Sequence, residues 1–395
     1  MTFESLELLL LIAVVVAVVA RRARLPYTVA LVVAGLLLAV SGYGSEISLS
    51  KNLIYKAFLP PLIFEAAYQL PWREVKRDLP VTAAMATLGV LISAVITAVA
   101  MRWLAGWDWI TAAVCGLLIS ATDPVSVIAT LKELKVEGRL RVLIESESLF
   151  NDGTVAAIFA VVVAAGSLAA LSAGQVALAF LVTILGGLGI GALVGWAAHF
   201  LMKPTEDHLI ELMVTVAAAF GSFLVAEHFH FTGVLSTVAA GLVLRKLGAT
   251  GSLSEHGQSA VVTFWEFMAF MANSLVFLLI GVELAAQNLG AIVPVLIAIP
   301  AVLVGRAVAV YGCSATFYPS GLRLKASRQH AMFWGGLRGA LALALALGLP
   351  EDFPQRQAVL AASFAVVAFS VLVQGMTMAP LLRVVGELPK EPDHG

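Results

Sequence analysis

The chain has 395 residues, of which 60% are hydrophobic and only 12% are charged. A soluble globular domain has about a quarter charged residues, so this composition excludes a soluble protein and, with a mean hydropathy of +0.96, indicates a polytopic membrane protein. The formal net charge of −1 gives no reason to expect a nucleic-acid partner.

Thirteen apolar segments follow one another along the chain, most of them long enough to cross a bilayer. We predict an all-α polytopic membrane protein with about 13 transmembrane helices in two inverted six-helix repeats, helices 1–6 and 8–13. The segments lie roughly at 3–20, 27–43, 52–70, 80–104, 108–134, 142–166, 173–202, 207–228, 232–245, 259–284, 289–318, 325–349 and 356–386.

The distribution of basic residues predicts the orientation of these helices. If odd-numbered helices end in the cytoplasm, eighteen of the lysines and arginines, among them Arg21 and Lys132, lie on the cytoplasmic side, and three, among them Lys51, lie on the other. Cytoplasmic loops carry this excess in membrane proteins. We therefore expect a multi-pass protein of the cell (inner) membrane with its N-terminus outside, its C-terminus inside and a short cytoplasmic tail at 387–395.

Two of the segments carry helix-breaking sequences. Helix 5 is interrupted at 120–124 (SATDP), where proline removes a donor and disfavours helix in the residue before it. Helix 12 is interrupted at 335–339 (GGLRG), where glycines loosen the backbone. Interruptions at corresponding positions of two inverted halves are the best sequence indication of a transporter's site.

The most informative stretch is 147–153 (ESLFNDG), at the start of a long apolar run. Ser148 and Asp152 are four residues apart and share a helix face, as do Glu147 and Asn151 on the neighbouring stripe. Polar groups within an apolar span are costly and usually face an ion or proton path. We predict that Asp152 binds a small cation.

The break in helix 5 offers further oxygen ligands. Freed carbonyls coordinate cations, and Asp123 balances the positive half-helix ends there. Thr122 adds a hydroxyl or a carbonyl oxygen. The alternative is that Asp123 only caps the second half-helix ahead of Pro124, and both roles are compatible.

Three further charged residues of interest, Arg338, Glu65 and Arg306, lie within apolar segments. Arg338, at the helix 12 break, stays protonated and needs a partner. We expect a structural ion pair with Glu147; the alternative is that Arg338 binds a helix C-terminus or carbonyls. Glu65 and Arg306 are expected to be structural, paired with each other or elsewhere.

Two other features are interpreted as packing. Cys115 and Cys313 lie in apolar runs, without metal-type spacing, so we read them as small core residues, with a disulfide as a minor alternative. The glycines of 185–191 (LGGLGIG) lie in a spanning helix, which favours close helix packing over dinucleotide binding.

Several motifs together resemble the monovalent cation/proton antiporter family, in its sodium/proton exchanger branch. They extend from helix 3 to helix 12: 64–65 (FE), 121–125 (ATDPV), 147–153 (ESLFNDG), 233–236 (GVLS), 240–242 (AGL), 264–265 (FW), 273–275 (NSL), 277–281 (FLLIG) and 335–339 (GGLRG).

The resemblance implies a homodimer in the lipid bilayer, taking part in sodium transport and pH homeostasis. It implies a dimerisation domain of helices 1–3 and 7–10 and a mobile core domain of helices 4–6 and 11–13, about 80–166 and 289–386. It also implies that Asp152 binds the cation or proton beside Thr122, Asp123 and Ser148, with Asn151 shaping the site. The protein is then a secondary transporter, not an enzyme, and needs no cofactor beyond the transported Na⁺ or Li⁺ and H⁺.

The expected mechanism is competition of one proton and one cation for Asp152, with alternating access. Asn151, where a second carboxylate would allow a second proton, favours electroneutral 1:1 exchange. A K⁺/H⁺ antiporter with the same site is the main alternative, because sequence does not reveal cage size. A cation channel and an intramembrane aspartyl enzyme using Asp123 and Asp152 are further alternatives.

Overall fold

The structure, a computed structural model, describes residues 3–23, 25–41, 50–123, 127–128, 131–132, 134–136, 138–164, 172–203, 207–248, 255–286 and 292–388. The described residues form helices and connecting turns, without a strand. The helices are α1 (Phe3–Ala23), α2 (Tyr27–Val40), α3 (Leu59–Gln69, preceded by a π turn at Leu53–Phe58), α4 (Trp72–Leu104), α5 (Trp109–Leu118), α6 (Arg139–Ala164), α7 (Ala173–Met202), α8 (His208–His228), α9 (Gly233–Leu247), α10 (Glu255–Ala286), α11 (Ile292–Thr316), α12 (Ala326–Trp334), α13 (Ala340–Leu347) and α14 (Arg356–Val384).

Both predicted helix breaks coincide with helix ends. The fifth segment leaves the helix after α5, and 121–123 are non-helical. The twelfth segment divides into α12 and α13, with non-helical residues between them. Pro124 and Val125 lie outside the described residues, so the capping of a second half-helix by Asp123 stays a prediction.

Six of the described helices are by themselves long and apolar enough to cross a membrane: α4, α7, α8, α10, α11 and α14. The others are short or, like α6, carry acidic residues along their length.

Polar side chains at helix starts satisfy free N–H groups. Asp108 accepts from Ile110 and Thr111 at the start of α5, and Thr232 accepts from Leu235 at the start of α9.

Helix packing divides the molecule into two groups. The first, which we call the α9 group, contains α1–α3 and α7–α10, and α9 packs against α3, α7 and α8 within it. The second, which we call the α6 group, contains α4–α6 and α11–α14, with α4 packed against α5 and α11. Whether the two groups are the expected dimerisation and mobile domains stays a prediction.

The glycines of α7 serve helix packing. A Cβ at Gly191 would lie 1.9 Å from the Ser236 carbonyl oxygen of α9, and one at Gly187 would lie 2.6 Å from that of Thr232. The two backbones therefore approach as closely as glycine permits.

Cys115 and Cys313 are both free and buried, which confirms the interpretation of both as core residues and not as a disulfide.

Candidate functional site

The two broken segments touch each other through their backbones. The N–H of Asp123 donates to the carbonyl of Leu337 over 2.7 Å. At the same crossing, a Cβ at Gly339 would lie 2.4 Å from Cβ of Asp123 and 2.6 Å from its Cγ. The absence of a side chain at 339 is what allows Asp123 to lie there.

Arg338 binds the end of α5. Its Nη1 donates to the carbonyls of Ser120 (2.7 Å) and Ala121 (3.1 Å). Carbonyls at a helix C-terminus have no intrahelical donor and carry partial negative charge, so a buried guanidinium stabilises them. The expected ion pair between Glu147 and Arg338 is wrong, and the carbonyl alternative describes Arg338 correctly.

The partner of Glu147 is Arg306. Nη1 and Nη2 of Arg306 lie 2.7 and 2.8 Å from the two carboxylate oxygens of Glu147, and Nη2 also donates to the Met332 carbonyl. The guanidinium from α11 thus joins α6 to the last turn of α12. A planar guanidinium fits a carboxylate in this two-point geometry. The expectation that Arg306 is structural agrees with this arrangement, but its suggested pairing with Glu65 does not occur.

A buried polar chain connects this pair to the helix 5 break. Asn151 Nδ2 donates to Oε1 of Glu147 and to the hydroxyl of Thr122, both over 3.3 Å. The hydroxyls of Thr122 and Ser148 lie 3.0 Å apart. The structure therefore brings together the predicted residues Thr122, Ser148, Asn151 and Glu147, and α6 and the break share one hydrogen-bonded network.

Asp152 lies where this network meets a cavity of about 620 Å³. The residue is partly exposed and lies within electrostatic range of Asp123, Glu147 and Arg338. Thr122, Asp123, Asp152 and Gly339 all line the cavity. Carboxylate, hydroxyl and carbonyl oxygens are the ligands that hard cations such as Na⁺ prefer.

Further charged residues line this inner cavity, as we call it, and of these the sequence analysis singled out only Glu65 as an intramembrane charge. Glu65 accepts a hydrogen bond from Gln69, which also donates to Glu266, and Lys132 lies 4.0 Å from Glu266. Arg21 lines the same cavity. Glu65 therefore lies in the wall of the inner cavity, and its expected structural role stays a prediction. Its neighbour Glu266 follows the quoted 264–265 motif, the one signal that could have found it.

A second, outer cavity of about 730 Å³ contains none of the predicted site residues. It lies between the two helix groups and includes Ala156 and Phe159 of α6, Leu345 of α13, and Thr232 before α9. Lys51, which the basic-residue count assigns to the outside, lines it. Arg21 and Lys132, assigned to the cytoplasm, line the inner one.

No three His, Cys, Asp or Glu side chains of the described residues are grouped as a resident metal would require. Of the predicted oxygen ligands, Thr122, Ser148 and Asn151 are buried, while Asp123 and Asp152 are partly exposed.

Residues 9–384 match the model of the sodium/hydrogen exchanger family. The chain belongs to this family. It is 37% identical over 94% of its length to the low-affinity Na⁺/H⁺ antiporter NhaS1 of Synechocystis sp., covering 72% of that protein. It is 34% identical over 97% of its length to the Na⁺/H⁺ antiporter NhaH of Halobacillus aidingensis, covering 98% of that protein.

The fold also matches a solved structure. The sodium proton antiporter MjNhaP1 from Methanocaldococcus jannaschii superposes with a TM-score of 0.77, covering 98% of both chains at 16% identity. The resemblance drawn from the sequence motifs is confirmed. Members of the exchanger family are secondary transporters, so this chain is not an enzyme, and the aspartyl-enzyme alternative is removed.

Proposed function

We propose that the protein exchanges Na⁺, or Li⁺, for H⁺ across the membrane, with Asp152 as the shared carrier. One observation carries the proposal: Asp152 lines the inner cavity, while neighbouring Glu147 is held in an ion pair by Arg306. The relatives named as Na⁺/H⁺ antiporters support sodium as the ion.

Competition at Asp152 couples the two ions. Burial favours the neutral form of a carboxylic acid, and a bound cation favours the ionised form. The Asp152 carboxyl group is therefore neutral with either a proton or a sodium ion bound, and an empty carboxylate is expensive to move through the membrane. Thr122, Asp123, Ser148 and Asn151 surround the bound ion.

The two cavities support alternating access. Asp152 faces the inner cavity, whose wall includes Arg21 and Lys132, residues assigned to the cytoplasm. The present conformation is then inward-facing. A shift of the α6 group against the α9 group would carry Asp152 to the outer cavity. The protein acts as a homodimer in the cell membrane, and the α9 group forms the dimer contact.

Exchange is one for one. Asn151 brings no second titrating group, and the guanidinium of Arg306 keeps Glu147 ionised. Each turnover then moves one positive charge in each direction, and membrane voltage has no effect on it.

Reconstitution tests the proposal. Purified protein in liposomes containing a pH-sensitive dye receives Na⁺, Li⁺ or K⁺ on one side. We expect proton movement with Na⁺ or Li⁺ in the native protein and none in Asp152→Asn. Movement with K⁺ alone would assign the same site to potassium, and a steady ion current without proton coupling would indicate a channel.

A further inference from the structure

One face of α6 passes through both cavities. Leu149 and Asp152 line the inner cavity, and Ala156 and Phe159, further along the same face, line the outer one. Gly153 lies between these pairs and lines neither. Because residues three and four apart on a helix are neighbours, the barrier between the cavities crosses α6 at Gly153.

The barrier at this point is the side chain of Leu235, at the start of α9. A Cβ on Gly153 would lie 2.2 Å from Cγ of Leu235, 2.3 Å from Cδ2 and 3.0 Å from Cδ1. The isobutyl group thus rests on the α6 backbone in the space that any other residue's side chain would fill. Leu235 is only 2% exposed, so the contact is closed to solvent.

Leu235 is held in place by its surroundings. Its N–H donates to the hydroxyl of Thr232. The next residues tie α9 to α8, since Ser236 donates to the carbonyl of Ser222 and Thr237 to that of Ala219. The leucine is therefore fixed in the α9 group, while the glycine it covers belongs to the α6 group.

We propose that Leu235, seated on Gly153, is the seal that separates the ion site from the outer cavity in this conformation, and that it must leave Gly153 before Asp152 can meet the other side. The proposal rests on the proposed function for its role in exchange. Whether Leu235 blocks access between the two cavities does not depend on that function.

Thiol labelling tests the seal without any ion gradient. Asn273 lines the inner cavity, so Asn273→Cys reports access there, and Lys56→Cys reports access to the outer cavity. A membrane-impermeant maleimide is added on the outer-cavity side of oriented vesicles, with background measured in protein lacking the new cysteine. With Leu235 intact, only Lys56→Cys should react.

Leu235→Ala should make Asn273→Cys react from the outer-cavity side, with a several-fold increase in rate. The matched control is Leu244→Ala, the same truncation on the same helix at a fully buried position among residues of the α9 group alone. It should leave labelling unchanged. In Gly153→Ala/Leu235→Ala, the added methyl partly refills the gap, so labelling should fall below that of Leu235→Ala.

Equal labelling of Leu235→Ala and Leu244→Ala, in protein whose Lys56→Cys still reacts, would overturn the proposal. A different result would refute the proposed function: native protein that moves no protons in the liposome assay. Leu235→Ala should additionally loosen coupling in that assay, with protons leaking when sodium is absent.

Discussion

Glu147 and Arg306 form a two-point ion pair between α6 and α11, with nitrogen–oxygen distances of 2.7 and 2.8 Å. Both residues are at least nine-tenths buried. The pair fixes the start of the 147–153 segment of α6 to the neighbouring helix α11. Glu147 is thereby engaged, whereas Asp152, five residues further along α6, lines the inner cavity.

Removing one member of this pair should destabilise the protein strongly. Arg306→Met leaves a buried carboxylate without its counter-charge, which costs about 3–5 kcal/mol. Thermal unfolding of the detergent-solubilised protein measures this, and adding Glu147→Gln should restore most of the loss. The more exposed pair Lys132–Glu266 supplies the contrast: Glu266→Gln should cost about 0–1 kcal/mol.

The same comparison of single and double variants distinguishes the role of Arg306 from that of Arg338. Arg338→Met removes a donor from the carbonyls of Ser120 and Ala121, so Glu147→Gln should give it no rescue. Equal rescue of Arg338→Met and Arg306→Met by Glu147→Gln would contradict the pairing seen here.

Gly339→Ala should disable the site with little effect on the fold. The new methyl would lie 2.4–2.9 Å from three atoms of the Asp123 side chain, which must then move. Displacement of a functional group by about 1 Å costs on the order of 100-fold in rate. Sodium-driven proton movement in liposomes measures the loss.

Gly189→Ala is the control for this prediction, because a Cβ at Gly189 meets nothing within 4 Å. It should retain native exchange. Native exchange in Gly339→Ala would show that the position of Asp123 against the helix 12 break does not matter.

Competition at Asp152 predicts how pH acts on sodium affinity. A lower pH places protons on the carboxyl that sodium needs, so the KM for Na⁺ should rise as pH falls, by at most about ten-fold per pH unit for one competing proton. The maximal rate at saturating Na⁺ should change far less. Initial rates over a matrix of pH and sodium concentration measure both, and a pH-independent KM would exclude a shared carrier.

Electroneutral exchange should be insensitive to membrane voltage. Valinomycin and a potassium gradient impose a potential on the liposomes, and initial sodium-driven rates should be equal at either sign. A rate that follows the voltage would mean that a second proton is carried, with Asp123 and Glu147 as the neighbouring carboxylates that could carry it.

The sequence predicted the residues of the candidate site more successfully than it predicted the contacts between them. Asp152, Ser148, Asn151 and Thr122 were expected together, and the described structure puts them in one network or at one cavity wall. Their identification depended on helical spacing along a single segment and on motifs around a helix break, both of which are local signals.

Contacts between helices far apart in the chain were harder to predict. Two intramembrane arginines and two glutamates, Glu65 and Glu147, allow several pairings, and charge alone does not choose among them. The choice follows from which helices are neighbours: α11 brings Arg306 to Glu147, while the crossing of the two breaks brings Arg338 to the end of α5. The π turn at Leu53–Phe58 likewise has no sequence signature that we recognised.

Proton movement in sodium-loaded proteoliposomes, compared between native protein and Asp152→Asn, tests the central claim most directly. We expect the native protein to exchange sodium or lithium for protons and the Asp152→Asn variant to exchange neither. Sodium-coupled proton movement that persists in Asp152→Asn would show that another group carries the ions and would contradict the account.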